Sequence, residues 1–268
     1  MGDSLATRYR TLRYSRRYNF PNDNLLAGTD HSAAVEAEDL VALIRAKGLA
    51  PAHVVGVSYG GYTGLLLALR HPDLVRSLVV VEPPIMRWVP SLPGGEDVAT
   101  KFFEGMFRPA GEAFRRGDRE GALRVSLDYF VFPGAMDSLP PGFLRTLRSN
   151  LREWEALTTS ADAFPDVSRE ALAGLRVDVL VVSGERGFDG ARLTDPELAR
   201  ALPHGERLVI PAGTHDVCRE QPAVCAEAIQ VFLDRRCGGL TRSCNRSGGP
   251  SKPPSSAHAS RAGYQLHP

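Results

Sequence analysis

What most restricts the fold of this chain is an alternation of short, wholly apolar runs with amphipathic helical stretches. HVVGV gives way at Ser58 to a Leu- and Ala-rich stretch, Tyr59–Arg70, and HPDLVRSLVVVEPP returns to an apolar run at Ser77–Val81. The pattern resumes after residue 175 with VDVLVVSGE, a helix near Asp195–Ala201, the run RLVIP, the loop AGTHDV and a last helix through Ala226–Asp234. Runs that are apolar at every position are strands buried on both faces, and the helices between them are the crossovers that parallel pairing requires. The expectation is an α/β fold, a mostly parallel sheet with helices on both faces.

Upstream, RTLRY (Arg10–Tyr14) reads as a short strand followed by a polar loop at Pro21 and Asn22. Ala33–Lys47 places Val35, Leu40, Leu43 and Ile44 near one helical face, with Gly48 where a helix terminator belongs. Between Pro83 and about Leu175 no strand is evident, and the pieces VATKFFEGMF, GALRVSLDYFVF and PGFLRTLRSNLREWEALTTS read as helices. Their bulky residues (Phe102, Phe103, Phe107, Tyr129, Phe130, Phe132, Trp154) suit a helical lid over something apolar. The organisation expected is a core of residues 1–82 and 176–236, a lid of 83–175 and a tail of 237–268. That tail is rich in Ser, Gly and Pro without hydrophobic period, and reads as disordered because it has little to bury against the entropy of ordering.

Composition removes several classes of function. With 32 basic and 31 acidic residues the net charge is +1, which gives no overall field to draw nucleic acid or anionic membrane. No apolar run approaches the ~18 residues of a membrane span and the first residues lack a signal-peptide core, so a cytoplasmic location is expected. All four cysteines fall in the last fifth of the chain. Cys218 and Cys225 read as two turns apart on one helix, and neither a disulfide framework nor a zinc site is signalled. There is no phosphate-cradling loop or nucleotide fingerprint, so no cofactor is expected and the partner is a small-molecule substrate.

In GVSYGG, Ser58 stands between Gly56 and Gly60 at a strand-to-helix junction. The pattern alone is weak, but its position is that of a nucleophile elbow, a strained turn with small neighbours that lifts the hydroxyl above the helix amino end. The amide of Tyr59 would then face a developing oxyanion. A serine hydroxyl needs a base, and His215, in the loop after RLVIP, is the histidine placed to serve. The remaining histidines sit at helix ends, before a strand, in a turn or in the tail. Three carboxylates at strand ends qualify as the acid that orients His215: Glu82 after SLVVV, and Asp189 or Glu185 in the loop GERGFDG. Arg148, Asn150 and Arg152 offer further polar contacts from the lid.

GVSYGG, LALRHPDLVRSLVVVEPP, VLVVSGE and AGTHDV together resemble the α/β-hydrolase superfamily, in its lidded branch of serine esterases, C–C bond hydrolases and cofactor-free haloperoxidases. The resemblance spans roughly Arg10–Arg236 and implies a Ser-His-acid triad acting through an acyl-enzyme on a small, largely apolar ester or related acyl compound. Members commonly carry the acid in a GxxD motif after the strand equivalent to VLVVS, and that position here is Gly187. Others carry it at the end of the preceding core strand, which matches Glu82 and favours it over Asp189. Family members also begin with further strands and a His-Gly loop that supplies a second oxyanion amide. This chain has neither, which implies an N-terminally truncated sheet. Either RTLRY crosses to fill the gap or the nucleophile strand keeps an open edge. A non-catalytic protein that keeps the fold is the alternative.

Overall fold

The computed structural model describes residues 2–26, 28 and 30–236; the proposed tail lies outside the described residues. Four strands, β1 (Ala52–Val57), β2 (Val75–Val81), β3 (Asp178–Gly184) and β4 (Gly205–Ile210), form one sheet in the order β1-β2-β3-β4. All three pairings are parallel. Each crossover carries helix: α3 (Tyr59–Arg70) between β1 and β2, and α10 (Asp189–Ala201) between β3 and β4.

Because consecutive strand residues face opposite ways, the sheet feeds two cores. Leu78, Val80, Val179 and Val181 pack with α3, α10 and α2 (Ala33–Ala46), whereas Val79, Val81, Leu180 and Val182 pack with α1 (Gly2–Ala6) and α12 (Pro222–Arg236). This is the expected parallel α/β sheet covered on both faces. Helix α2 begins where Ser32 accepts a hydrogen bond from the Val35 amide, and it stops at Lys47 before Gly48, whose φ of +57° suits glycine.

Between β2 and β3 run α4 (Gly95–Phe102), a π-helical turn at Phe103–Phe107, α5 (Arg108–Arg115), α6 (Arg119–Phe130), α7 (Pro141–Ser149), α8 (Leu151–Thr158) and α9 (Arg169–Ala173). This insertion has its own apolar cluster, with Phe114, Leu123, Leu127, Leu144 and Leu151 at its centre. Its Phe102, Phe103, Phe107 and Trp154 pack onto the core cluster.

Three local expectations are corrected. RTLRY is not a strand: residues 10–16 are irregular, and Leu12 is 46% exposed. Among the described residues no strand flanks β1 on its outer side, so the run has no ladder to join and β1 keeps an open edge. Helix α10 begins at Asp189 rather than near Asp195 and runs through Pro196 without a break. Cys218 and Cys225 do not share a helix. Cys218 lies in α11 (Val217–Glu220), and α12 starts afresh at Pro222; both thiols are free.

Candidate active site

The chain leaves β1 through a turn that only small residues permit. A Cβ on Gly56 would lie 2.3 Å from the Gly60 carbonyl oxygen, and one on Gly61 would lie 3.1 Å from the Gly56 oxygen, whereas Gly60 has open space. The crowding therefore falls on Gly56 and Gly61, not on the second glycine of the GxSxG pattern. Ser58 takes φ 50°, ψ −124°, a left-handed strain of about 1–3 kcal/mol for a residue with a Cβ. The turn is held in place by the Ser58 amide, which donates to Val81 O at 2.7 Å, while Ser58 O accepts from the Gly61 and Tyr62 amides. As first residue of α3, Tyr59 has an amide with no acceptor inside the helix, at the end that favours negative charge.

Val57 and Val81 are register partners, so Ser58 and Glu82 leave the sheet side by side. Glu82 also has positive φ, 46°. Its carboxylate is buried, with Oε1 accepting from the Gly184 amide at 2.8 Å and Oε2 from the Phe188 amide at 3.1 Å. On Oε2 it also meets His215 Nδ1 at 2.7 Å, and His215 Nε2 lies 3.1 Å from Ser58 Oγ. With Nδ1–H donating to Glu82, Nε2 is left to accept the Ser58 hydroxyl proton, the arrangement a general base requires.

The structure brings together Ser58, His215, Glu82 and the Tyr59 amide, and leaves the other two carboxylates out. Asp189, weighed as the acid, begins α10 with an exposed side chain and pairs with Arg192 at 3.3 Å. Glu185 accepts from the Ala212 amide at 2.8 Å. A Cβ on Gly187 would fall 1.8 Å from Glu82 Oε1. The carboxylate from β2 thus occupies the space that a side chain at 187 would enter, so the missing acid of the GxxD position and the presence of Glu82 are one fact.

Aromatic rings close over the histidine. Phe130, at the end of α6, lies nearly parallel to the His215 ring at 6.4 Å, and Phe188 meets it edge-on at 5.8 Å. Trp154 backs Phe130, and Phe102 contacts Phe188 and Tyr129. Phe132 is about half exposed beyond them. The polar residues of the insertion turn elsewhere: Arg148 forms a two-point pair with Glu120, Asn150 Oδ1 accepts from the Phe20 amide, and Arg152 donates to Asn24 O. Arg148 and Arg152 line a surface groove of about 350 Å³ with Tyr18 and Phe20, which none of the three facing groups enters.

A serine elbow at the carboxyl end of a parallel strand, faced by a histidine on a carboxylate, is the arrangement of an α/β hydrolase. The chain belongs to the alpha/beta hydrolase family, whose sequence profile it matches over residues 1–228. It is 42% identical over 244 residues to "Putative carbamate hydrolase RutD" of Caulobacter sp. (strain K31), covering 86% of this chain and 82% of that protein. Among solved structures, a thermophilic esterase from Thermogutta terrifontis matches with TM-score 0.61 at 21% identity, over 82% of this chain and 78% of that one. A hydrolase from Pseudomonas aeruginosa PA01 gives TM-score 0.61 at 21% identity, over 86% and 82%. The protein is an enzyme of the hydrolase class. Among the described residues, no helix is long and apolar enough to cross a membrane.

Proposed function

We propose that the protein is a serine hydrolase in which Ser58 attacks the carbonyl of a small, largely apolar ester or related acyl compound. The observation that carries this reading is the continuous pair of contacts Ser58 Oγ to His215 Nε2, 3.1 Å, and His215 Nδ1 to Glu82 Oε2, 2.7 Å. His215 takes the hydroxyl proton as Ser58 Oγ bonds to the carbonyl carbon, and the Tyr59 amide faces the oxygen that gains charge. His215 then returns the proton to the leaving group, and water, activated by the same imidazole, hydrolyses the acyl-enzyme. Glu82 holds the imidazole in the required tautomer and stabilises its cation. No step calls for a cofactor.

The helical insertion serves as the lid. Phe130 and Phe188, the latter backed by Phe102, present rings rather than charges beside His215, which favours uncharged acyl groups. The relative named as a carbamate hydrolase makes carbamates the second substrate class to examine. A fluorophosphonate probe should label the wild type and not Ser58→Ala. A panel of p-nitrophenyl esters of rising acyl length, with matched carbamates, should then show turnover of the short uncharged esters. A folded wild-type protein that stays unlabelled would refute the nucleophile.

A further inference from the structure

The densest buried charge outside the triad lies where the insertion meets the core. Arg16 comes from the irregular segment before α2, His31 immediately precedes the Ser32 cap, Glu36 lies in the first turn of α2, and Glu153 projects from α8. Arg16 Nη1 donates to Glu36 Oε1 at 2.8 Å, to Glu36 Oε2 at 2.7 Å and to Glu153 Oε1 at 2.8 Å. Thr63 Oγ1 donates to Glu36 Oε2 at 3.0 Å. His31 Nε2 stands 3.5 Å from Glu36 Oε1 and 3.5 Å from Glu153 Oε2, and neither that last oxygen nor either His31 ring nitrogen makes a hydrogen bond. The four side chains are between 1% and 11% exposed, so water does little to screen them.

Charge balance calls for one proton in this cluster. Two carboxylates and one guanidinium leave one negative charge in a buried site, and a neutral imidazole does not cancel it. One proton does, and the His31 ring, which stands at the same distance from an oxygen of each carboxylate, is the group placed to share it between them. A divalent cation at the same three groups, whose ligand atoms lie within 4.8 Å of one another, would overshoot to a net positive charge beside a guanidinium already bound to both carboxylates.

We propose that Arg16, His31, Glu36 and Glu153 form a neutral lock, completed by a proton on His31, which holds α8 on the core and so positions the aromatic roof over His215. The positioning role rests on the reading of Ser58, His215 and Glu82 as the reacting groups. The path from lock to roof is short. Trp154, next to Glu153, donates from Nε1 to Ser126 Oγ at 2.6 Å and packs on Phe107 and Phe130, and Phe130 covers His215. On its other side the Arg16 guanidinium lies 5.4 Å from the centre of the Tyr59 ring, beside the elbow.

The surrounding groups set the direction of the pH response. Burial pulls the His31 imidazolium down, but Glu153 and Glu36 outweigh it and raise His31 to about 9. Burial raises Glu36, yet Arg16 and His31 prevail and hold it at about 2; Glu153 is raised by burial against the pull of Arg16. Burial keeps Tyr14, at about 12, and Tyr59 in the neutral form, and Tyr18 meets His31 edge-on at 4.8 Å. A histidine whose folded value lies above its ordinary 6.5 contributes stability that is complete below about pH 6.5 and is lost as pH rises through about 9.

The test uses full-length protein labelled with ¹⁵N-histidine. Ring nitrogen shifts should show one imidazole still protonated beyond about pH 8, and its signal should vanish in His31→Gln. Amide hydrogen exchange in residues 151–158, corrected for intrinsic rate, should lose about tenfold protection between pH 8 and 10 in the wild type, and already at pH 7 in His31→Gln. Over the same window KM for p-nitrophenyl butyrate should rise with kcat within about twofold. A His31 that titrates at or below 6.5, stoichiometric zinc or manganese uptake through its ring, or unchanged protection in His31→Gln would overturn the lock. Ring protonation and exchange are read without turnover, so failure of fluorophosphonate labelling would overturn the reading of Ser58 and not the lock.

Discussion

His215 and His31 both face buried glutamate, and the difference between them lies in how the ring nitrogens are shared. At His215 each nitrogen has its own partner, Glu82 at 2.7 Å on one side and Ser58 at 3.1 Å on the other, so the imidazole can receive a proton from one and be steadied by the other. At His31 a single nitrogen stands at 3.5 Å from two carboxylates. That is too long for a strong hydrogen bond to either, and suited to a charge spread between them. One arrangement is suited to moving a proton, the other to retaining one. The lesson is that a histidine beside a carboxylate takes its role from what lies at its second nitrogen and from the count of neighbouring charges.

The largest break in this comparison should come from the nucleophile: Ser58→Ala is expected to lower kcat by about 10⁵–10⁶-fold, measured by single-turnover ester hydrolysis. Next is Glu82→Gln, with a loss of about 10⁴-fold through the wrong tautomer of His215. Since Gly187 abuts the Glu82 carboxylate, Gly187→Asp should recover part of the rate in a Glu82→Gly background and none in the wild type. If Glu82→Gln keeps more than about a tenth of the activity, Glu82 does not orient the base. Removing a cation from the lock acts on stability instead. Arg16→Met leaves two buried carboxylates facing one imidazolium and should cost about 3–5 kcal/mol in urea unfolding. The smallest effect is Asp189→Asn, a change within about twofold in kcat/KM, because that carboxylate serves an exposed ion pair.

How much of this was legible in the residues alone follows from distance along the chain. Ser58 and the strand-to-helix turn around it are local, set by glycines and by the change from continuous apolar run to amphipathic helix. Glu82 and His215 were legible as ends of apolar runs, since parallel strands put all such ends on one edge. The residues alone left Glu82 and Asp189 open and only the family resemblance favoured Glu82; the physical ground is a register, the pairing of Val57 with Val81 that sets the residue after each side by side. The lock carries no spacing signature, since Arg16 and Glu153 belong to segments that meet only after the insertion folds back. RTLRY misled because alternation over five residues describes what a segment could pair with, and pairing needs a neighbour.

The adjacency of Ser58 and Glu82 bears on how the active site assembles. Both groups belong to a single β-α-β unit, which sets their backbones side by side, but the Glu82 backbone amide donates to Val182 O and its carboxylate is held by the Gly184 and Phe188 amides, all from beyond the insertion. The imidazole and the amides that hold the carboxylate arrive together from afar. A chain cut within the insertion would therefore leave Ser58 and Glu82 on one fragment, and both His215 and the amides that hold Glu82 on the other, so ester turnover is expected only once the two are mixed and close over the long-range contacts.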